Sequence, residues 1–395
     1  MNSDNSEETQ PLITTQFLLL LLATGVFGLA FSTYFLLPKY VALELKADAI
    51  TIGAVSAISM LASVFAMPVV GVLVDRHRRR IFGTLGALVF AVASTGFLWI
   101  DSIGPLLWVV RIFQGVAFTL YYVSISTLAT DMAPPARLGQ AIGLFGAVMI
   151  STNALGPAIA EWVAEHYGWQ RVFFGTIAAS LAAAALTTLL VEERRTFSQH
   201  DSASMLQMLK RPALRRVLLV AILAGCTMGA VYSFYQPWAL VLGFKHLSTF
   251  LVAFAACAML VRVGLGGLAD RLGRLRVATA ALFLYIAAPL SLIWLDIFGL
   301  FFCGAILGLA HGLFFPALNA VALGYTSGAE RGKGMAAFHG AFNVGFAAGS
   351  YLLGFIIVST GYPSIFVIAG GTCTVAFLLL VNLSKTETSP ALERS

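Results

Sequence analysis

What most constrains this chain is the length and number of its apolar runs. Twelve stretches follow one another with short polar breaks, at approximately 14–38, 50–74, 81–100, 103–130, 138–165, 172–191, 217–243, 247–269, 277–295, 298–326, 334–359 and 362–383. Each is near or above the roughly 20 apolar residues that a helix needs to cross a bilayer. Hydrocarbon offers no water to backbone N–H and C=O groups, so only helices and closed barrels can span it. Barrel strands alternate apolar and polar residues in ten-residue pieces, whereas these runs are continuous. The pattern predicts an all-α membrane protein of twelve transmembrane helices. The composition agrees, with 11% charged residues where soluble domains carry about 25%.

The position of the charges sets the orientation. With the N-terminus inside, Lys39, Lys46, Arg171 and Lys245 fall outside, Arg111 and Arg262 fall within spans, and the remaining 18 of the 24 Lys and Arg residues are cytoplasmic. The positive-inside rule selects this arrangement. It predicts a multi-pass protein of the cytoplasmic (inner) membrane, both termini cytoplasmic, with the lipid bilayer rather than nucleic acid as the partner of its +6 charge. Residues 1–13 lack the basic start of a secretory signal and are read as a cytoplasmic tail, as is 384–395. Cys226, Cys257, Cys303 and Cys373 lie in apolar runs without CxxC spacing, so neither a structural zinc site nor a disulfide framework is indicated; no cofactor is expected.

The longest polar break, 192–216, divides the spans into bundles at 14–191 and 217–383. The halves repeat each other. Gly71-Val-Leu-Val-Asp75-Arg76-His77-Arg78-Arg79 recurs as Gly266-Gly-Leu-Ala-Asp270-Arg271-Leu-Gly273-Arg274, with the aspartates 195 residues apart. Arg137-Leu-Gly-Gln recurs as Arg331-Gly-Lys-Gly, 194 apart, and Pro38 matches Pro237. Parallel repeats of this kind place a substrate site at their interface near the bilayer midplane.

Twelve spans, a basic central loop and the duplicated Gly-x-x-x-Asp-Arg motif together resemble the major facilitator superfamily over residues 14–383. The resemblance implies two pseudo-symmetric six-helix bundles and a gating role for Gly71, Asp75, Arg76, Arg79, Gly266, Asp270, Arg271 and Arg274. A carboxylate there can accept from neighbouring arginines or sit at the positive end of an adjacent helix; the plainer reading is a basic loop that only sets topology. Arg111-Ile-Phe-Gln114-Gly115 is similar to the Arg-x-x-Gln-Gly signature of the drug:proton antiporter branch, whose arginine is linked to proton transfer. Gly143, Gly156 and Pro157 match that branch's glycine-proline motif, although Thr152 and Ala160-Glu161 depart from it. Gly168-Trp169-Gln170-Arg171 resembles a common family loop.

An ionisable residue inside the membrane is expensive and by default marks a pathway. Arg111 and Glu161 lie roughly 10–12 Å inward from the outer ends of their spans, a depth at which they can pair. Glu161, His311 and His339 join Arg111 and Gln114 as proton-coupling candidates, the histidines because imidazole titrates near neutrality; many such histidines merely bond between helices. Arg262 replaces Met67 of the first half and shares a face with Gly266 and Asp270. Tyr34, Tyr232, Tyr235, Gln236, Arg262 and Asn343 are substrate-pathway candidates. For the tyrosines, interfacial anchoring is the alternative. Met335 and His339, spaced i, i+4, are soft ligands of the kind that suit Cu(I), but methionine is also common apolar filling.

The reading is a secondary active transporter, functional as a monomer, that exports a small organic, amphipathic compound by alternating access coupled to proton influx. The alternative is uptake of a metabolite or a soft metal ion by the same fold. The chain has no HExxH and no Gly-x-Ser-x-Gly, which argues against an intramembrane hydrolase, and no large signalling domain marks it as a sensor.

Overall fold

The computed structural model describes residues 12–134, 137–192, 205–264, 268–296, 298–327 and 330–392; the side chains of Asp75, Leu206, Ala269, Asp270, Arg331 and residues 384–392 lie outside the description. The described chain is helical throughout. Its long apolar helices are α1 (Thr15–Leu43), α2 (Ala49–Arg76), α3 (Arg79–Thr95), α4 (Pro105–Asp131), α5 (Leu138–Tyr167), α6 (Trp169–Thr188), α7 (Pro212–Val241), α8 (Ser248–Gly264), α9 (Arg274–Ser291), α10 (Gly299–Gly324), α11 (Arg331–Thr360) and α12 (Tyr362–Leu383). Eleven are long and apolar enough to cross a membrane by themselves, and α8, of 17 residues, is the shorter twelfth.

The ends follow local chemistry. The Thr14 hydroxyl accepts from the Phe17 N–H to cap α1, and prolines open α4 and α7, where the missing N–H is no loss. Gly168 closes α5 with φ 82° and Gly361 closes α11 with φ 80°. The two backbone N–H groups bond Ala164 and Ile357 carbonyls. Both glycines are required by a left-handed backbone that lets one span turn directly into the next. They occupy matching places in the two halves, a repeat in local structure as well as in motif.

Packing repeats as well. In the first half α1 packs on α5 and α6, and α3 on α4 and α6; in the second, α7 packs on α11 and α12, and α9 on α10 and α12. Glycines allow the closest of these approaches. A Cβ at Gly225, Gly229, Gly345 or Gly349 would lie 1.9–2.1 Å from a carbonyl oxygen across the α7–α11 seam, and Gly304 and Gly308 stand 2.2 Å from α8 carbonyls by the same measure. Without a hydrophobic drive between helices in lipid, such close van der Waals contact is what holds them. Not every glycine of α5 and α11 belongs to this pattern. Gly156 meets Ser32 and the Leu29 carbonyl of α1, whereas Gly143 and Gly340 face open space.

By packing, the chain forms two compact units that differ from the sequence repeat at one place. The first holds α1 up to Leu37, then Phe65 through α6; the second holds Pro38–Val64 with α7–α12. The reason is local: the Lys39 N–H donates to the buried Gln236 Oε1 at 3.0 Å, the Lys39 ammonium to the Lys245 carbonyl at 3.0 Å, and Gly53 of α2 approaches the Ser350 carbonyl oxygen.

Candidate functional site

Among the described residues, the ionisable side chains within the spans fall into two groups, one in each unit. In the first, α4 carries Arg111 about a quarter of the way along its 27 residues. Arg111 is buried and donates to Gln114 Oε1 at 2.7 Å. The i, i+3 spacing puts them on one face. Gln114 is buried too, and among the described residues its Nε2 has no hydrogen-bond partner. Tyr34, also buried, is within electrostatic range of Arg111. Glu161 is buried on the adjoining α5, a few residues past Pro157. Tyr34 faces a wall of rings: Phe90 at 5.7 Å, Phe97 at 5.1 Å and Phe173 at 6.4 Å.

In the second unit, His311 sits midway along the 26-residue α10. Its Nδ1 lies 2.6 Å from the Tyr285 hydroxyl of α9. Phe254 of α8, Phe315 of α10 and Phe342 of α11 surround the imidazole with centroids at 5.7, 5.0 and 5.8 Å. Phe315 then meets the His339 ring at 5.1 Å, so the two histidines share one aromatic wall. Arg262 is half-buried on α8 and within electrostatic range of His311. Asn343 is half-buried one turn beyond His339. Tyr232 is half-buried among Phe250, Phe254 and Phe346. Tyr235 and Gln236 are fully buried, Tyr235 stacked on Phe250 and Gln236 bonded to Lys39; these two build the unit's interior.

The helix ends beside the duplicated motif and the 192–216 segment are tied within each unit. Arg79 pairs with Asp131, joining the start of α3 to the end of α4. Glu192 accepts from the Arg79 and Arg80 backbone N–H groups at 2.8 and 3.1 Å, placing a carboxylate on the positive end of α3. In the second unit, Arg211 makes a two-pronged bond to Glu330, both arms 2.8 Å, and a third bond to the Tyr325 carbonyl. The guanidinium, with the Ser327 N–H, holds the Glu330 carboxyl down at about 2. Gly71 faces open space and Arg76, Arg271 and Arg274 are exposed; Gly266 and the carboxylates of Asp75 and Asp270 lie outside the described residues. Among those residues no three His, Cys, Asp or Glu side chains form a metal cluster.

Glu330, Glu192, Asp131 and Tyr285 were not singled out by sequence. Glu330 had a signal: Ser327-x-x-Glu330 ahead of an apolar run is a capping box, and the Ser327 N–H does bond the Glu330 carboxylate at 2.9 Å.

This architecture has known counterparts. The sequence profile of the Major Facilitator Superfamily matches residues 19–304 and 265–395. The chain belongs to the Major Facilitator Superfamily. It is therefore a multi-pass membrane transporter of a small-molecule substrate, embedded in lipid, and not an enzyme. A tetracenomycin C resistance and export protein of Streptomyces glaucescens is 30% identical over 136 residues, which is 34% of this chain. The match spans only 25% of that protein's length. Among solved superfamily structures, a variant of the nucleoside transporter NupG superposes with a TM-score of 0.80 at 16% identity, covering 93% of this chain and all of that one. A bacterial homologue of the human lysosomal transporter Spinster gives 0.75 at 13%, covering 94% and 96%. The human organic anion transporter MFSD10 gives 0.71 at 17%, covering 93% and 100%. At these identities the structures establish the superfamily fold and no more.

Proposed function

We propose that the protein exports a small organic, amphipathic compound across the cytoplasmic membrane by alternating access, driven by proton entry. Both termini are cytoplasmic, residues 192–216 link two six-helix bundles at 14–191 and 217–383, and one chain suffices for transport. The observation that carries the reading is Arg111, buried within α4 and bonded to Gln114. Such a charge at membrane depth belongs to a pathway rather than to a packed apolar interior. Glu161, buried on the adjoining helix, is the carboxylate that takes up and releases the proton, with His311 and His339 as further proton or substrate contacts. Tyr34, Tyr232, Arg262 and Asn343 contribute to the substrate path, and Tyr235 and Gln236 shape it from behind. Gly156 and Pro157 set the close approach of α5 to α1, and Gly143 completes the antiporter-like motif. The Gly71–Arg79 and Gly266–Arg274 motifs act as cytoplasmic latches. Export, rather than uptake, is supported by the relative named for tetracenomycin C export.

The test uses purified protein in proteoliposomes with and without an imposed pH gradient, with tetracenomycin C as first cargo and a panel of aromatic amphiphiles beside it. Export predicts cargo movement opposite to the proton flow. Arg111→Ala is expected to abolish the dependence on the gradient while the protein stays folded in the membrane. Unchanged gradient dependence in that variant refutes the coupling role, and movement with the protons refutes antiport.

A further inference from the structure

The second unit's polar cluster has a feature that an interior built only for stability would not need. Tyr285 is fully buried, and its only hydrogen-bond partner among the described residues is His311 Nδ1. A buried hydroxyl must donate or leave its proton unsatisfied. Donation to Nδ1 fixes the tautomer of His311, so its Nε2 carries the hydrogen and points away from Tyr285. Among the described residues that second nitrogen has no partner on the protein. Asn319, two turns further along the same face of α10, has a buried carboxamide Oδ1 that likewise bonds nothing among the described residues.

On α11, Met335, His339 and Asn343 form a matching i, i+4, i+8 row. The rows run past each other, with Phe342 against His311 and His339 against Phe315. Arg262 on α8 adds a guanidinium within electrostatic range of His311. Arg262, His311, Phe315, Asn319 and His339 are all part-exposed, with His311 midway along its span and Arg262 in the last turn of α8. The lipid-facing side of α8 is instead apolar, with Leu260 64% and Val263 77% exposed. Polar, part-exposed side chains at such depth face an internal path rather than lipid.

We infer that α8, α10 and α11 of the second unit form a binding site for a planar aromatic compound carrying an acidic oxygen, a carboxylate or a phenolate. Phe315, Phe342 and the two imidazoles present ring faces and edges to the planar body of the ligand. Arg262 supplies the positive charge for its acidic oxygen, and the His311 Nε2–H and the Asn319 carboxamide supply further hydrogen bonds. Tyr285 is a positioning residue, holding His311 in the donor tautomer. The site names the substrate class of the transport reading and rests on it for its purpose.

The test is equilibrium binding of tritiated 2-naphthoate to the full chain in lipid nanodiscs. Saturable binding is expected. Neutral 2-naphthalenemethanol, lacking the charge, and cyclohexanecarboxylate, lacking the ring, should each need about tenfold more to displace it, since a hydrogen bond to a charged group or an aromatic contact is worth that factor. Arg262→Gln and Phe315→Ala should each weaken naphthoate about tenfold, while lipid-facing Leu378→Ala leaves it unchanged. The competitor series on the unaltered protein decides the matter even where a variant misfolds. No saturable binding, equal displacement by all three compounds, or well-folded Arg262 and Phe315 variants that bind like the parent each overturns the site. Gradient-driven export indifferent to Arg262 and Phe315 overturns the site and leaves transport standing. Selective binding in a protein that moves no cargo leaves the site and overturns export.

Discussion

The same substitution made at two glycines of α11, five residues apart, is expected to change stability in opposite directions. A Cβ at Gly345 would stand 1.9 Å from the Ile222 carbonyl oxygen of α7, and the neighbouring Gly349 has the same relation to Cys226. Ordinary contact begins near 3.4 Å, so Gly345→Ala requires the two helices to part by about 1.5 Å against backbone, with no flexible side chain to yield. Overpacking of a tight interior costs about 1–3 kcal/mol, and the opposing glycines at 225 and 229 lose their contacts in the same movement. Gly340 has nothing within 4 Å of its Cβ position. There Gly340→Ala only removes conformational freedom from the unfolded chain, a gain of about 0.5–1 kcal/mol in a helix. The assay is thermal unfolding in detergent micelles followed by a thiol-reactive dye, for which the buried Cys303 and Cys373 report loss of the second unit's interior. Gly345→Ala should melt several degrees below the parent, and Gly340→Ala at or above it. Equal melting temperatures for both variants refute the close seam between α7 and α11.

The Arg211–Glu330 bond gives a pH signature. Because the folded carboxyl is held at about 2, below its usual 4.5, its contribution is fully present above pH 4.5 and lost as pH falls through about 2; the melting difference between the parent and Glu330→Gln should be constant from pH 8 to 5, and a difference vanishing between pH 7 and 6 contradicts it. Tyr285→Phe leaves His311 Nδ1 without its buried partner and is expected to cost about 1–3 kcal/mol, read as a lower melting temperature; an unchanged one argues that the hydroxyl bond is unimportant. For Arg111 and Glu161, reversing both charges should restore gradient-driven transport lost in either single reversal, and failure to rescue argues against direct pairing. Asp75→Asn should abolish transport while leaving the protein folded in the membrane, and retained flux would remove the latch.

The spans and the repeat were legible because each rests on a property that survives in one dimension: length of apolar run, spacing of a motif. Close approach was not. Gly143 and Gly156 look alike along α5, yet only Gly156 touches another helix, because the contact depends on which face turns toward α1. The placing of Pro38–Val64 with the second unit follows from the Lys39–Gln236 and Gly53–Ser350 contacts, which join residues far apart in the chain. Arg211 was legible only as one more cytoplasmic charge, since its partner lies 119 residues away. His311 stood out as an ionisable residue in a span, but Tyr285, which fixes its tautomer, is an unremarked aromatic in an apolar run.

The repeat itself points to where function resides. At the motif offset of 195 residues, Arg111 corresponds to Ile306, Gln114 to Leu309, Arg262 to Met67 and His311 to Val116; at the 194 offset of the later spans, Glu161 corresponds to Phe355 and His339 to Phe145. Each of these six polar residues therefore corresponds to an apolar residue in the other half. Framework features behave differently: the helix-ending glycines Gly168 and Gly361, the pairings of α1 with α5 and α7 with α11, and the Asp-Arg motifs are kept in both. A group needed for folding six helices together should recur wherever six helices fold. Groups that occur in one half only, and that are costly to keep in lipid, serve something the halves do not share. On the transport reading proposed above, the first half's Arg111, Gln114 and Glu161 would serve coupling, and the second half's Arg262 and histidines would serve chiefly recognition. Moving His311 and Arg262 to their apolar counterparts, as His311→Val and Arg262→Met, should leave the chain folded, with a lower melting temperature from the orphaned Tyr285 hydroxyl, and remove selectivity for the cargo.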